Sequence, residues 1–132
     1  MVKLPEKVVA AFNDPAAIKV LTSIDADGRP HSIVCGSIRA VAPNVLIVAE
    51  ILMKSTAANI KRNDKAALLV VIGTTSYLVN AKVKQRVAEG PMLDEMNKAL
   101  AAMKLKASAV WVFTPTAAYD QSANPKAGAK LA

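Results

Sequence analysis

Residues 66–72, Ala-Ala-Leu-Leu-Val-Val-Ile, are seven consecutive apolar positions closed off by Gly73, and they restrict the fold more than any other stretch. The run is short, rich in branched side chains and bounded by a glycine, so it reads as a strand. Its lack of alternation predicts burial on both faces, as at the middle of a closed barrel. A long alternating segment follows over 76–88. There Tyr77, Val79, Ala81 and Val83 face one way, and Asn80, Lys82, Lys84 and Arg86 the other. The basic side reads as a solvated sheet face.

The remaining strands precede and follow this pair. Residues 17–24 and 31–41 read as a hairpin around a turn at 25–29, where Gly28 can take positive φ. Ala42-Pro43-Asn44 turns the chain into a third strand over 45–51, and 107–113 is a last strand ended by Thr114-Pro115. Helices are expected over 5–12, within 53–63 and over 91–104. The last has Pro91 in its first turn and a Met92, Met96, Ala99, Leu100, Met103 stripe that reads as core packing. The fold class is therefore mainly β (α+β), a six-stranded antiparallel barrel with short flanking helices. One domain over 1–120 is expected, with a flexible C-terminal tail over 121–132, where Ala, Asn, Pro, Gly, Lys and Gln dominate.

The chain has 132 residues, enough for one domain that needs no metal or disulfide to hold it. It contains one Cys and one His, which excludes four-ligand zinc sites of the Cys/His kind by counting. Cys35 and His31, at i and i+4 on a strand, stand roughly 13 Å apart, too far for a nucleophile–base pair. Cys35 reads as a small apolar core or site-lining residue. The net charge of +7 attracts anions without choosing among them. Aromatic content of 4%, with only Tyr77 near the basic strand, argues against nucleic acid as a partner. No apolar run is long enough to cross a bilayer, and the first residues show no signal-peptide pattern, so no membrane partner and a cytoplasmic location are expected.

Met53-Lys54-Ser55-Thr56 opens the helix that lies between the third strand and the apolar run. Ser55 or Thr56 can cap that helix, leaving the other hydroxyl and the unpaired N–H groups at the positive end of the helix dipole. With the Lys54 ammonium alongside, this is a site suited to a phosphate dianion. A capped, solvated helix start carries the same residues, so both readings stand.

The order of these pieces resembles the flavin-binding split-barrel family related to pyridoxamine 5′-phosphate oxidase. The matching text is Val20-Leu21-Thr22-Ser23, Asp27-Gly28-Arg29-Pro30-His31-Ser32 and Val45-Leu46-Ile47-Val48. Lys54-Ser55-Thr56 with Asn59, Asn63-Asp64-Lys65-Ala66 and the closing Trp111-Val112-Phe113-Thr114-Pro115 follow. The resemblance implies a homodimer that binds FMN in a groove at the subunit interface. It places Val34, Cys35, Gly36, Ser37, Val48, Ala49 and Glu50 along the ribityl chain and ring edge, and Lys54, Ser55 and Thr56 on the phosphate. Trp111 is either a ring-stacking residue or a buried core tryptophan. Gly36 inside a strand also has its own reason, since glycine lets a ligand approach the backbone closely.

The chain departs from the oxidases of that family. It has no arginine over 34–37, no Arg after Arg86 and no His after His31, which argues against pyridoxamine 5′-phosphate oxidase activity. The expected function is an FMN-binding flavoprotein that passes electrons or reduces a small acceptor, with no side chain assigned as catalytic and no metal. The alternatives are a split barrel that binds a deazaflavin or haem, one without cofactor that acts as an interaction module, and, last, a basic nucleic-acid-binding barrel.

Overall fold

The computed structural model describes residues 2–132. In chain order the elements are α1 (Glu6–Phe12), β1 (Ile18–Ile24), β2 (Pro30–Val34), β3 (Arg39–Ala42), β4 (Val45–Ala49), α2 (Lys54–Arg62), β5 (Lys65–Ile72), β6 (Thr75–Val87), α3 (Pro91–Leu100) and β7 (Val110–Asp120), with a 3-10 turn over Ala101–Met103. All strands pair antiparallel in the order β2-β1-β5-β6-β7-β4-β3.

The strand expected over 31–41 is two strands, which makes seven rather than six. β2 and β3 lie at opposite ends of the sheet order, and residues 35–38 carry the chain from one to the other. This connector closes the barrel. The Cys35 N–H donates to Lys19 O at 2.8 Å on the β1 side, and the Ala49 N–H donates to Ser37 Oγ at 3.0 Å on the β4 side. The inward positions change parity across the break, from Ile33 and Cys35 to Ile38 and Ala40.

The main core fills the barrel with Leu21, Ile38, Leu46, Val48, Leu68, Val70, Val79 and Phe113, closed at one end by Val8 and Phe12 of α1. A second cluster joins Met96 and Leu100 of α3 to Ile47, Ala49, Val110 and Val112. Of the expected methionine stripe, Met96 is buried while Met92 and Met103 are exposed. The α-helix ends at Leu100, and the tighter 3-10 turn rotates Met103 off the packed face.

Strand β1 inverts the simple rule of apolar residues inside. Its inward residues are Lys19, Leu21 and Ser23, each nearly inaccessible, while Ile18 is 57% exposed. The polar pair is satisfied internally. Lys19 Nζ donates to Ile38 O at 2.9 Å and to Gly36 O at 3.4 Å, and Asn59 Nδ2 donates to Ser23 Oγ at 3.0 Å. Burial, and secondarily the Arg39 charge, lowers the pKa of Lys19.

β5 likewise buries one face, with Ala66, Leu68 and Val70 inside and Ala67, Leu69 and Val71 half-buried. The expectation of burial on both faces therefore holds for the inner face only. The pairing register aligns the outer residues into one row across five strands, Val34–Val20–Leu69–Leu78, with Tyr119 at its end. The barrel thus carries an apolar outer surface.

Residues 121–132, read as a flexible tail, fold back beside β7. Gln121 and Ala123 N–H groups donate to Ser76 O and Thr74 O, and Leu131 N–H donates to Ala118 O at 2.8 Å. Asp120 accepts from the Ser122 N–H at 2.9 Å, which lowers its pKa.

Candidate functional site

The barrel seam and the start of α2 lie side by side and form a groove. Its first part, about 300 Å³, is lined by Val34, Cys35, Gly36 and Ser37 of the connector, by Ala49, Ile51 and Met53 beyond β4, and by Leu100, Met103 and Leu105. Its second part, about 290 Å³, is lined by Lys54, Ser55 and Thr56 with His31 and Leu52. Ile33 and Met53 border both, so the two parts are continuous. One end is apolar and the other carries a cation and two hydroxyls.

Lys54, Ser55 and Thr56 are the first three residues of α2, and Met53 occupies the cap position without a side-chain cap bond. The hydroxyls therefore do not cap the helix, contrary to expectation. The first intrahelical bond is Ala57 N–H to Met53 O at 2.8 Å, so the N–H groups before it lie outside the ladder. Thr56 is 1% exposed, and its Oγ1 is the single buried side-chain polar atom without a hydrogen-bond partner among the described residues. Such an atom costs about 1–3 kcal/mol unless something outside the chain completes it. A phosphate against this turn would do so, and the donor set of ammonium, hydroxyls and helix N–H groups fits one.

Approach to the apolar end is open at Gly36. A Cβ there would meet nothing within 4 Å, and the backbone is not in the left-handed region. The fold itself does not demand glycine here. Beside it, Cys35 Sγ lies 3.4 Å from Ser37 Oγ. The rim is apolar and exposed: Val34 is 75% and Leu52 97% accessible, and Leu52 holds a left-handed backbone at φ 51°. A branched side chain in that conformation is strained.

Of the residues expected in the site, Val34, Cys35, Gly36, Ser37 and Ala49 line the apolar part and Lys54, Ser55 and Thr56 the polar part. Val48 points into the core. Glu50 and Trp111 line neither part. Glu50 Oε1 accepts from Trp111 Nε1 at 2.8 Å and from Arg86 Nε at 3.0 Å, while Oε2 accepts from Arg86 Nη2 and Ser108 Oγ, both at 2.9 Å. These bonds, the Arg86 fork foremost, hold the Glu50 carboxyl at about 2. Trp111 is 3% exposed with the Arg86 guanidinium 5.9 Å from its ring centroid. Sequence reasoning missed Ile33, Ile51, Met53 and Met103, which come from three separate segments, and Lys19, whose two carbonyl bonds hold the connector.

Among the described residues no cluster of metal-ligating side chains occurs, and no helix is long and apolar enough to cross a membrane.

The structure is an antiparallel split barrel with a groove along its seam and a helix start suited to phosphate at one end. The sequence profile of pyridoxamine 5′-phosphate oxidase matches residues 4–122, and the chain belongs to that family. Its fold is similar to that of HupZ from Group A Streptococcus (TM-score 0.79, 18% identity, covering 97% of this chain and 100% of that one). It is similar also to an FMN-binding protein from Syntrophomonas wolfei subsp. wolfei (0.79, 18%, 90% and 86%) and to an F420 reductase (0.69, 20%, 87% and 98%). No curated protein sequence matches the chain.

Proposed function

We propose that this chain binds FMN in the seam groove and works as a homodimeric flavoprotein that transfers electrons or reduces a small acceptor. The observation that carries the reading is the buried, unpartnered Thr56 hydroxyl at the polar end of a groove whose other end is apolar and open at Gly36. The phosphate lies against Lys54, Ser55 and Thr56, and the ring system along Val34–Ser37 and Ala49. Family membership and the fold shared with an FMN-binding protein agree with this placement.

When bound, the flavin supplies hydride and electron-transfer chemistry. The chain's own residues bind, orient and exclude water. The apolar part is lined by aliphatic side chains, Cys35 and Ser37, with no carboxylate, amine or imidazole among them. No side chain there is placed to act as acid or base, so specificity lies in access and orientation.

The outer face of the barrel supports the dimer reading. The Val34–Val20–Leu69–Leu78 row, exposed Ile18 and an adjoining depression of about 410 Å³ lined by Thr22, Ala67 and Asn80 make an apolar surface that a second copy would cover. Val34 belongs both to this surface and to the groove, which agrees with a cofactor beside the interface.

The test is the visible absorption spectrum of freshly purified protein, repeated after adding FMN and removing the excess. A retained flavin spectrum is expected. No chromophore and no thermal shift with FMN would leave an interaction module as the better account.

A further inference from the structure

The depression of about 410 Å³ on the outer face of β1, β5 and β6 lies away from the seam groove. Two neighbouring rows of the sheet form it. Thr22, Ala67 and Asn80 pair across the strands as one row, and the small Ala67 keeps its middle low. In the next row Lys65 stands opposite Lys82, with Ile24 and Pro30 alongside. Lys65 and Ala67 share the outer face because Ala66, between them, is buried.

Lys65 and Lys82 are direct partners in the antiparallel ladder, so their Cβ atoms stand about 4.5–5.5 Å apart. Like charges placed this way repel. Among the described residues neither ammonium has an ion pair, and no carboxylate lines the depression. One anion between the two stems would satisfy both. The nearby hydroxyls are engaged, Thr22 Oγ1 with Ser32 Oγ at 2.8 Å and Thr116 Oγ1 on Asn80 O at 3.1 Å, which leaves the Asn80 side-chain amide to assist. Beyond the lysines the lining is apolar, from Ile24, Pro30, Ala66, Ala67 and Ala81.

We propose that this depression binds a small carboxylic acid with an apolar body, its carboxylate held between Lys65 and Lys82 and its body lying over Ala67. The site is separate from the seam groove and does not rest on the flavin reading. Along β5, Lys65 stands four residues from Leu69, roughly 13 Å, so the lysines flank the apolar row that a second copy would cover. A second copy there would roof the Ala67 side and leave the lysines as the entrance.

Full-length protein titrated calorimetrically with octanoate, octanol and inorganic phosphate tests it. Octanoate is expected to bind, and octanol and phosphate at least about tenfold more weakly, since one lacks the charge and the other the body. Lys65→Gln and Lys82→Gln should each cost about tenfold in octanoate affinity. Ala67→Leu fills the depression while keeping both lysines, and should lose octanoate as well. Lys82→Glu should abolish binding yet raise the melting temperature by about 2 °C, because opposite charges then stand where like charges stood. That opposite movement separates a ligand site from a structural role, and a native melt of each variant controls for folding. No octanoate binding, octanol or phosphate binding as tightly as octanoate, or full octanoate affinity in any of these folded variants overturns the assignment.

Discussion

The indole N–H of Trp111 donates to Glu50 Oε1 at 2.8 Å, so the only tryptophan of the chain reports on the one carboxylate that ties β4, β6 and β7 together. Arg86 comes from β6 and Trp111 from β7, while the Glu50 main chain pairs with Ser108 and Ala109. The network braces the end of β4 immediately before the turn that carries Ile51 and Met53 into the groove.

Glu50→Gln should lower stability by about 1–2 kcal/mol, discounted because the Arg86 side chain is 31% exposed. The carboxyl is held at about 2 against an ordinary 4.5, so the unfolded chain takes up the proton first as pH falls. The contribution is complete above pH 4.5 and disappears toward pH 2. Denaturant melts of parent and variant followed by Trp111 fluorescence should converge over that window; a constant gap would contradict the assignment.

Thr56→Val should act in opposite directions on folding and binding. Removing a buried hydroxyl without a partner leaves the ligand-free protein equally stable or more stable by about 1 kcal/mol. FMN affinity should fall about tenfold, as one phosphate contact is lost. A thermal melt paired with an FMN titration reads both, and unchanged FMN affinity would place the phosphate elsewhere.

Gly36→Val separates the needs of the ligand from those of the fold. A Cβ there meets nothing within 4 Å and the position asks for no left-handed backbone, so the melting temperature should move by only a few degrees. It projects where the ligand passes the backbone, and FMN affinity should drop at least about tenfold. Tight FMN binding by a folded variant would show that the cofactor does not run past Gly36.

Leu69→Lys places a charge in the middle of the outer apolar row. Sedimentation should find the parent as a dimer and the variant as a monomer with its barrel intact, because Leu69 points away from the core. A monomeric parent would sink the dimer.

The sequence was legible wherever a residue's immediate neighbours decide its fate. The first hairpin, the apolar run of β5, the long β6 and the Lys54-Ser55-Thr56 turn all read directly from spacing. It was opaque where distant strands decide. Nothing local to 31–41 says that β2 and β3 lie at opposite ends of the sheet. Lys19 looks like a solvated residue and is buried because two carbonyls of the connector accept its protons. Glu50 and Trp111 lie 61 positions apart, and their bond depends on the β4–β7 register. The Lys54-Ser55-Thr56 end of the groove was visible as a contiguous motif, while the part supplied by Ile33, Leu100 and Met103 exists only after the barrel closes.

Residues 35–38 are at once the seam that shuts the barrel and the edge along which the groove runs. A molecule seated there presses on the fastening of the fold. Occupancy and closure then share one free energy, and whatever the ligand gains by binding is returned as resistance to opening at that joint. The empty protein should come apart first at the clasp, and the amide hydrogens of Cys35 and Ala49, which bond across it, would be the ones to record the difference.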